Sequence, residues 1–243
     1  MKDDDAFNQT FDVALHLGTL VSVVGYFWRD LGRLIAAWLG SVRRRQIETA
    51  DERIAWLIAV ATVPAALVGA LGKDLIANRL GEPWQIAILL ACFAVVLYLA
   101  DRRPSSRSMD DLGLGTALGI GLVQSLALAP GVSRSGITIS AARFLGLDRD
   151  SAARLSFLLL IPITFGAIAL KGLTDVVLGD LPPGSAGPFA VGVIAAAVSG
   201  LFAIWSLLGY VRRHDYSVFV LYRLFVAAAI LLLIASGVRE AGF

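Results

Sequence analysis

The chain has 243 residues, 57% of them hydrophobic and only 16% charged, with a formal net charge of +2 and a mean hydropathy of +0.75. Soluble domains run near half apolar and about a quarter charged, so this balance excludes an ordinary soluble domain and points to a membrane protein. The small net charge says little about partners and no nucleic acid is expected, while the single cysteine, Cys92, excludes a disulfide framework.

The N-terminus, "MKDDDAFNQTFD", lacks a basic stretch leading into an apolar one, so a cleavable signal peptide is not expected. Six runs then qualify as spanning helices: residues 11–28, 53–71, 84–100, 152–170, 188–210 and 217–236. Trp28, Trp84, Tyr210 and Tyr216 stand at their ends, where aromatic rings anchor at the membrane–water boundary. The expected fold is an all-α integral membrane protein with six transmembrane helices, in one polytopic domain over residues 1–243.

Loop charges orient the bundle. Arg29, Arg33, Arg43, Arg44, Arg45 and Arg53 follow the first run; Arg102, Arg103 and Arg107 follow the third. Arg143, Arg149 and Arg154 precede the fourth, and Arg212 and Arg213 follow the fifth. The opposite loops hold Lys2, Lys73, Arg79, Lys171 and Arg239, so fourteen cations stand against five and the first set is expected in the cytoplasm. Arg43, Arg44 and Arg45 read as topology determinants and contacts to anionic lipid.

Residues 110–150 leave a cytoplasmic loop and must return to the same side before Ala152, yet 112–129 is apolar enough to enter the bilayer. A re-entrant helix–loop–helix meets both conditions, with its tip at 129–135. Non-helical backbone at membrane depth survives only against protein or a water-filled cavity, and broken helices of this kind commonly mark a binding site.

The tip sequence, "LALAPGVSRSGITIS", carries the chemistry. Pro130 ends the incoming helix, Gly131 and Gly136 permit a tight turn, and a second helix is expected to begin near Ile137. Its free N–H groups and positive dipole end face the tip. Arg134 adds a planar fork of donors that matches phosphate oxygens, and Ser133, Ser135 and Thr138 add hydroxyls. Together they describe an oxyanion site, most plausibly for phosphate.

Other intramembrane polar residues are few. Asp12 and His16 share a helix face and read either as an acid–imidazole pair or as a helix-mouth residue and a histidine bonded to a nearby carbonyl. Arg223, in the last run, reads as reaching the same anion or as pairing with a carbonyl or carboxylate. Gln124 and Ser125 on the entering helix are placed to orient Arg134.

At these residues the sequence resembles the bacterial undecaprenyl-pyrophosphate phosphatases of the bacitracin-resistance type. The strings "FDVALHLGTL", "FWRDL", "QSLALAPGVSRSGITIS", "RLSFLLLIPITFGA" and "YRLFVAAA" stand in that family's order and spacing. The resemblance implies hydrolysis of undecaprenyl pyrophosphate to the monophosphate, which recycles the lipid carrier of cell-wall synthesis and confers bacitracin resistance. It also implies a location in the bacterial plasma membrane, a site opening toward the outside, and two inverted repeats, each a re-entrant hairpin followed by three spans. Residues 1–109 then hold the three spans of the first repeat, and 110–243 hold the second repeat with its hairpin. Ser133, Arg134, Ser135, Gly136 and Thr138 match the family motif position for position, with Gly131 beside them in the phosphate-binding turn. The family's first hairpin bears two glutamates four residues apart. Here Glu48, Glu52, Glu82 and Glu240 fall in loops or at the end, so those acid–base roles find no counterpart. Asp12 and His16 are left as the intramembrane candidates for a base.

The resemblance leaves a homodimer open. A divalent cation, magnesium or calcium, suits a diphosphate substrate, although no carboxylate ligand set stands out in the sequence. A non-enzymatic carrier or flippase for a polyprenyl phosphate is the competing reading, since it needs the anion site and not an acid–base pair.

Overall fold

A computed structural model describes residues 2–172 and 186–237, with side chains described for 11–72, 80–169 and 187–237. Lys2, Lys73, Arg79, Lys171, Arg239 and Glu240 therefore have side chains outside the described set. Among the described residues nine α-helices follow in order: α1 (Lys2–Tyr26), α2 (Trp28–Arg44), α3 (Ala50–Arg79), α4 (Pro83–Asp101), α5 (Leu114–Ser125), α6 (Arg134–Phe144), α7 (Arg149–Gly172), α8 (Ala186–Val211) and α9 (Ser217–Ala235). No strand occurs among the described residues. Arg107 and Leu147 form one isolated bridge.

Among the described residues, five helices are long and apolar enough to cross a membrane: those over Ala50–Gly72, Pro83–Asp101, Arg149–Ala169, Gly187–Val211 and Ser217–Ala235. A sixth candidate span is reached only by taking α1 and α2 together as one bent pair, where the sequence carries α1 through Trp28. The helix instead stops at Tyr26 and bends by 81° into α2. Buried Phe27 sits at the corner and packs on Tyr26 and Phe157.

α2 corrects the reading of its arginines as loop charges. Its sequence, WRDLGRLIAAWLGSVRR, is strongly two-faced: Leu31, Leu34, Ile35 and Trp38 line an apolar groove against α3 and α7, whereas Arg29, Arg33 and Arg43 do not. A two-faced helix of this kind suits a membrane surface, with its cations toward headgroups. Arg44 closes it by pairing with the buried Glu52 on α3.

The re-entrant hairpin is borne out, and three close approaches fix its depth. Gly121 on α5 lies against the carbonyl of Ala61, and Leu128 lies against Gly69, so α5 runs parallel to α3. At the turn, Gly131 lies against the carbonyl of Ile86, three residues after Pro83 opens α4. The tip thus reaches within about one helical turn of the far end of α4. α6 then returns alongside α4 and α7.

The return is anchored where α4 ends. Asp101, buried, receives the Arg149 guanidinium (Nε 2.8 Å, Nη2 3.1 Å), lies 3.2 Å from Arg143 Nε, and accepts from the Tyr216 backbone (3.0 Å). Arg143 also donates to the carbonyls of Leu147 (2.6 Å), Asp101 (2.8 Å) and Arg103 (3.1 Å). Both ends of the hairpin are therefore tied to the same end of the bundle, which is the geometry of a dip and not of a crossing. Arg143 and Arg149, counted from sequence as orienting charges, are structural members of this knot.

Candidate active site

α5 ends at Ser125, earlier than Pro130 alone implies, and a 3-10 turn over Leu126–Leu128 carries the chain to the tip. Ala129 is extended (ψ 124°), as the residue before a proline prefers. Gly131 adopts φ +96°, a conformation in which a Cβ is strained. Ser133 is held at φ +67°, uncommon for any residue with a side chain and characteristic of functional turns. α6 begins at Arg134, three residues before the expected start at Ile137.

Ser133 is the N-cap. Its Oγ accepts from the Gly136 amide (3.3 Å) and lies 3.5 Å from Ser135 Oγ, while its carbonyl accepts from Ile137 (3.0 Å). The amides of Arg134 and Ser135 have no such partner and point outward at the positive end of the helix. The capping hydroxyl keeps its own proton to donate.

Arg223, reaching in from α9, donates through Nη2 to the carbonyls of Gly131 (3.1 Å) and Val132 (2.9 Å). It therefore takes the carbonyl-pairing role left open by the sequence. Gly136 is not the turn-former the sequence suggested, since it lies inside α6. Its service is steric: a Cβ there would stand 2.6 Å from Arg223 Nη1. Replacing Arg223 with lysine keeps the charge but loses the fork, and is expected to cost about 1–2 kcal/mol of stability, read as a lower Tm in detergent. An unchanged Tm would show that the tip carbonyls do not need this brace.

Ser133, Ser135, Gly136 and Arg223 line one cavity of about 260 Å³, whose remaining wall is apolar and aromatic, including Leu207, Phe219 and Tyr222. That volume falls below the ~300–1,000 Å³ of pockets that enclose whole drug-sized ligands, so it accommodates a headgroup and not a long lipid. Arg134 is not in that lining. It shares a helix face with Thr138, four residues on. Thr138, buried, donates to the Arg134 carbonyl (2.8 Å) and meets Ser156 Oγ of α7 at 2.7 Å. Its hydroxyl is thus spent on holding α6 to α7. Arg134 Nη1 is buried, and among the described residues it has no hydrogen-bond partner and no ion pair reaches the guanidinium.

The other candidates fall elsewhere. His16 Nδ1 lies 2.6 Å from the Asp12 carbonyl, so the imidazole pairs with backbone and not with the carboxylate. Both residues line a separate cavity with Ala167 and Ile168. Ser125 donates to its own helix at Gly121 (3.1 Å), and Gln124, buried, bonds to nothing, so neither orients Arg134 by hydrogen bonding. No group of three His, Cys, Asp or Glu side chains among the described residues is placed to hold a metal ion. The donors at the tip are cations, amides and hydroxyls, which suit an anion and do not fit a resident cation.

Curated relatives named undecaprenyl-diphosphatase include one from Desulforudis audaxviator, 46% identical over 225 residues, which covers 92% of this chain and 82% of the relative. Another, from Rubrobacter xylanophilus, is 42% identical over 230 residues (94% and 84%), and one from Geobacter metallireducens is 45% identical over 227 (93% and 84%). The family model described as bacitracin resistance protein BacA matches residues 1–229, and the chain belongs to that family.

Proposed function

We propose that this protein is an undecaprenyl-diphosphatase of the bacterial plasma membrane, hydrolysing undecaprenyl pyrophosphate to undecaprenyl phosphate and inorganic phosphate. The observation that carries the site is the start of α6: an arginine with a buried unpartnered Nη1, two free backbone amides and two hydroxyls, none of them claimed by a carboxylate. In the reaction, water oxygen bonds to the terminal phosphorus and the bond from that phosphorus to the bridging oxygen breaks. The electron pair leaves with the lipid monophosphate, and the water's protons pass to phosphoryl oxygens and leave on inorganic phosphate. Arg134 and the dipole end of α6 stabilise the charge that builds on the phosphoryl oxygens, while Ser133 and Ser135 fix its orientation. Arg223 acts one step back, holding the tip carbonyls inward so that the amides face the substrate.

The test is phosphate release from a polyprenyl pyrophosphate by the purified protein. Release is expected from wild type and is expected to fall several-fold in each of Ser133→Ala and Ser135→Ala. No release from wild type sinks the reading.

The tip opens on the outer face, because the arginine-rich loops belong to the cytoplasm. With Cys92 replaced, a cysteine introduced at Ser236, beyond the far end of α9, is expected to react with an impermeant thiol reagent on intact cells. One at Ser106, beside the Asp101 knot, is expected to stay unlabelled. Both positions are exposed. The reverse pattern would place the tip on the cytoplasmic side.

A further inference from the structure

Gln124 is 1% exposed on the inner face of α5, and neither its Oε1 nor its Nε2 has a hydrogen-bond partner among the described residues. Buried amides are almost always satisfied, so a fully buried glutamine with both ends idle needs a reason. Packing does not supply one, since a leucine fills similar space without desolvating an amide. Nor does local backbone repair. Pro64 in α3 leaves the Val60 carbonyl without its helical donor, yet Gln124 does not donate to it.

The second idle group in the hairpin is Arg134 Nη1. Gln124 is the penultimate residue of α5 and Arg134 the first of α6, and the two arms pack against each other. The last turn of the entering arm and the first turn of the returning arm thus each carry a buried, unpaired donor. Arg134 stands one helical turn before Thr138, whose hydroxyl meets α7, and Gln124 stands about one turn after Gly121, which lies against α3. α3 and α7 are themselves in contact, so the helices that carry and flank these two positions pack as one group.

We propose that Gln124 is a substrate-binding residue. Its Nε2 donates to an oxygen of the terminal phosphoryl group held by Arg134, and its Oε1 accepts from the water that attacks. This rests on the reading of the α6 start as a diphosphate site. The amide is neutral, so it adds directional donors and acceptors without adding charge, and it orients the water without taking its proton.

The experiment measures binding of farnesyl pyrophosphate by calorimetry, together with the Tm of the ligand-free protein, for wild type, Gln124→Leu and Gln124→Glu. For Gln124→Leu, affinity is expected to fall about tenfold or more, while Tm holds or rises because an unpaired buried amide has been removed. For Gln124→Glu, the loss is expected to be larger at about pH 8 and to recover at about pH 5.5, where the carboxyl is protonated and donates again. A lower Tm in Gln124→Leu with wild-type affinity would show that the amide only ties an internal water, and overturns the proposal. Unchanged affinity in Gln124→Leu, or a pH-independent loss in Gln124→Glu should the leucine variant not fold, overturns it too. Failure of wild type itself to bind would bring down the diphosphate reading and this residue's role with it.

Discussion

Arg134→Lys is expected to weaken binding of a polyprenyl pyrophosphate by about tenfold to a hundredfold, equivalent to about 1–3 kcal/mol. An ammonium keeps the charge but presents a compact point in place of a planar fork, and two parallel bonds to one phosphoryl group become one. Arg134→Ala removes the charge as well and is expected to lower turnover about 10³-fold or more, by analogy with arginines that stabilise phosphoryl-transfer charge elsewhere. Stability should move in the opposite sense. Arg134 Nη1 is buried with no partner, so its removal relieves a desolvated donor and Tm should hold or rise. The combination of lost binding and retained Tm separates a ligand-binding arginine from a structural one. Wild-type affinity in the lysine variant would remove Arg134 from the site.

That combination of readouts is also where sequence and structure divide the labour. The tip was legible because its signal is local: a proline, two glycines and three hydroxyls around an arginine, in a run otherwise fit for lipid. The re-entrant path was legible from charge placement, and the knot at Asp101 gives it a physical cause. What spacing did not convey was which side of α6 each residue takes. Ser133 and Ser135 open onto the Arg223 cavity, whereas the Thr138 hydroxyl is taken up by Ser156 of α7. Helix phase follows from where α6 begins, and that start was set by Ser133 capping at positive φ and not by Gly136. α2 was missed for another reason. Its arginines fit the topology pattern so well that the helical repeat of Trp28, Leu31, Leu34, Ile35 and Trp38 beneath them went unused, though that repeat was the signal that finds it. Gln124 was legible as a polar residue in the entering arm, but not as an unsatisfied amide, because that is defined by what surrounds it.

Two glycine substitutions in the one hairpin are expected to behave in opposite ways. Gly131→Ala puts a Cβ 2.5 Å from the Ile86 carbonyl oxygen and 3.1 Å from the Ile86 Cα, both backbone atoms of α4 that have no rotamer by which to retreat. It also imposes the strain of φ +96° on a residue with a side chain, worth about 1–2 kcal/mol by itself. Overpacking against fixed atoms adds about 1–3 kcal/mol, so a total of about 2–5 kcal/mol is expected, read as a large fall in Tm. Gly119→Ala lies inside α5, where an added Cβ meets nothing within 4 Å. There the helix gains roughly 0.5–1 kcal/mol from the better former. If the two variants lost stability equally, the hairpin would be failing as a whole and the close seat of the tip on α4 would not be what holds it. If Gly131→Ala folded like wild type, the turn would have to sit away from Ile86. The depth of the tip, fixed in part by that contact, would then have to be redrawn, and the start of α6 with it.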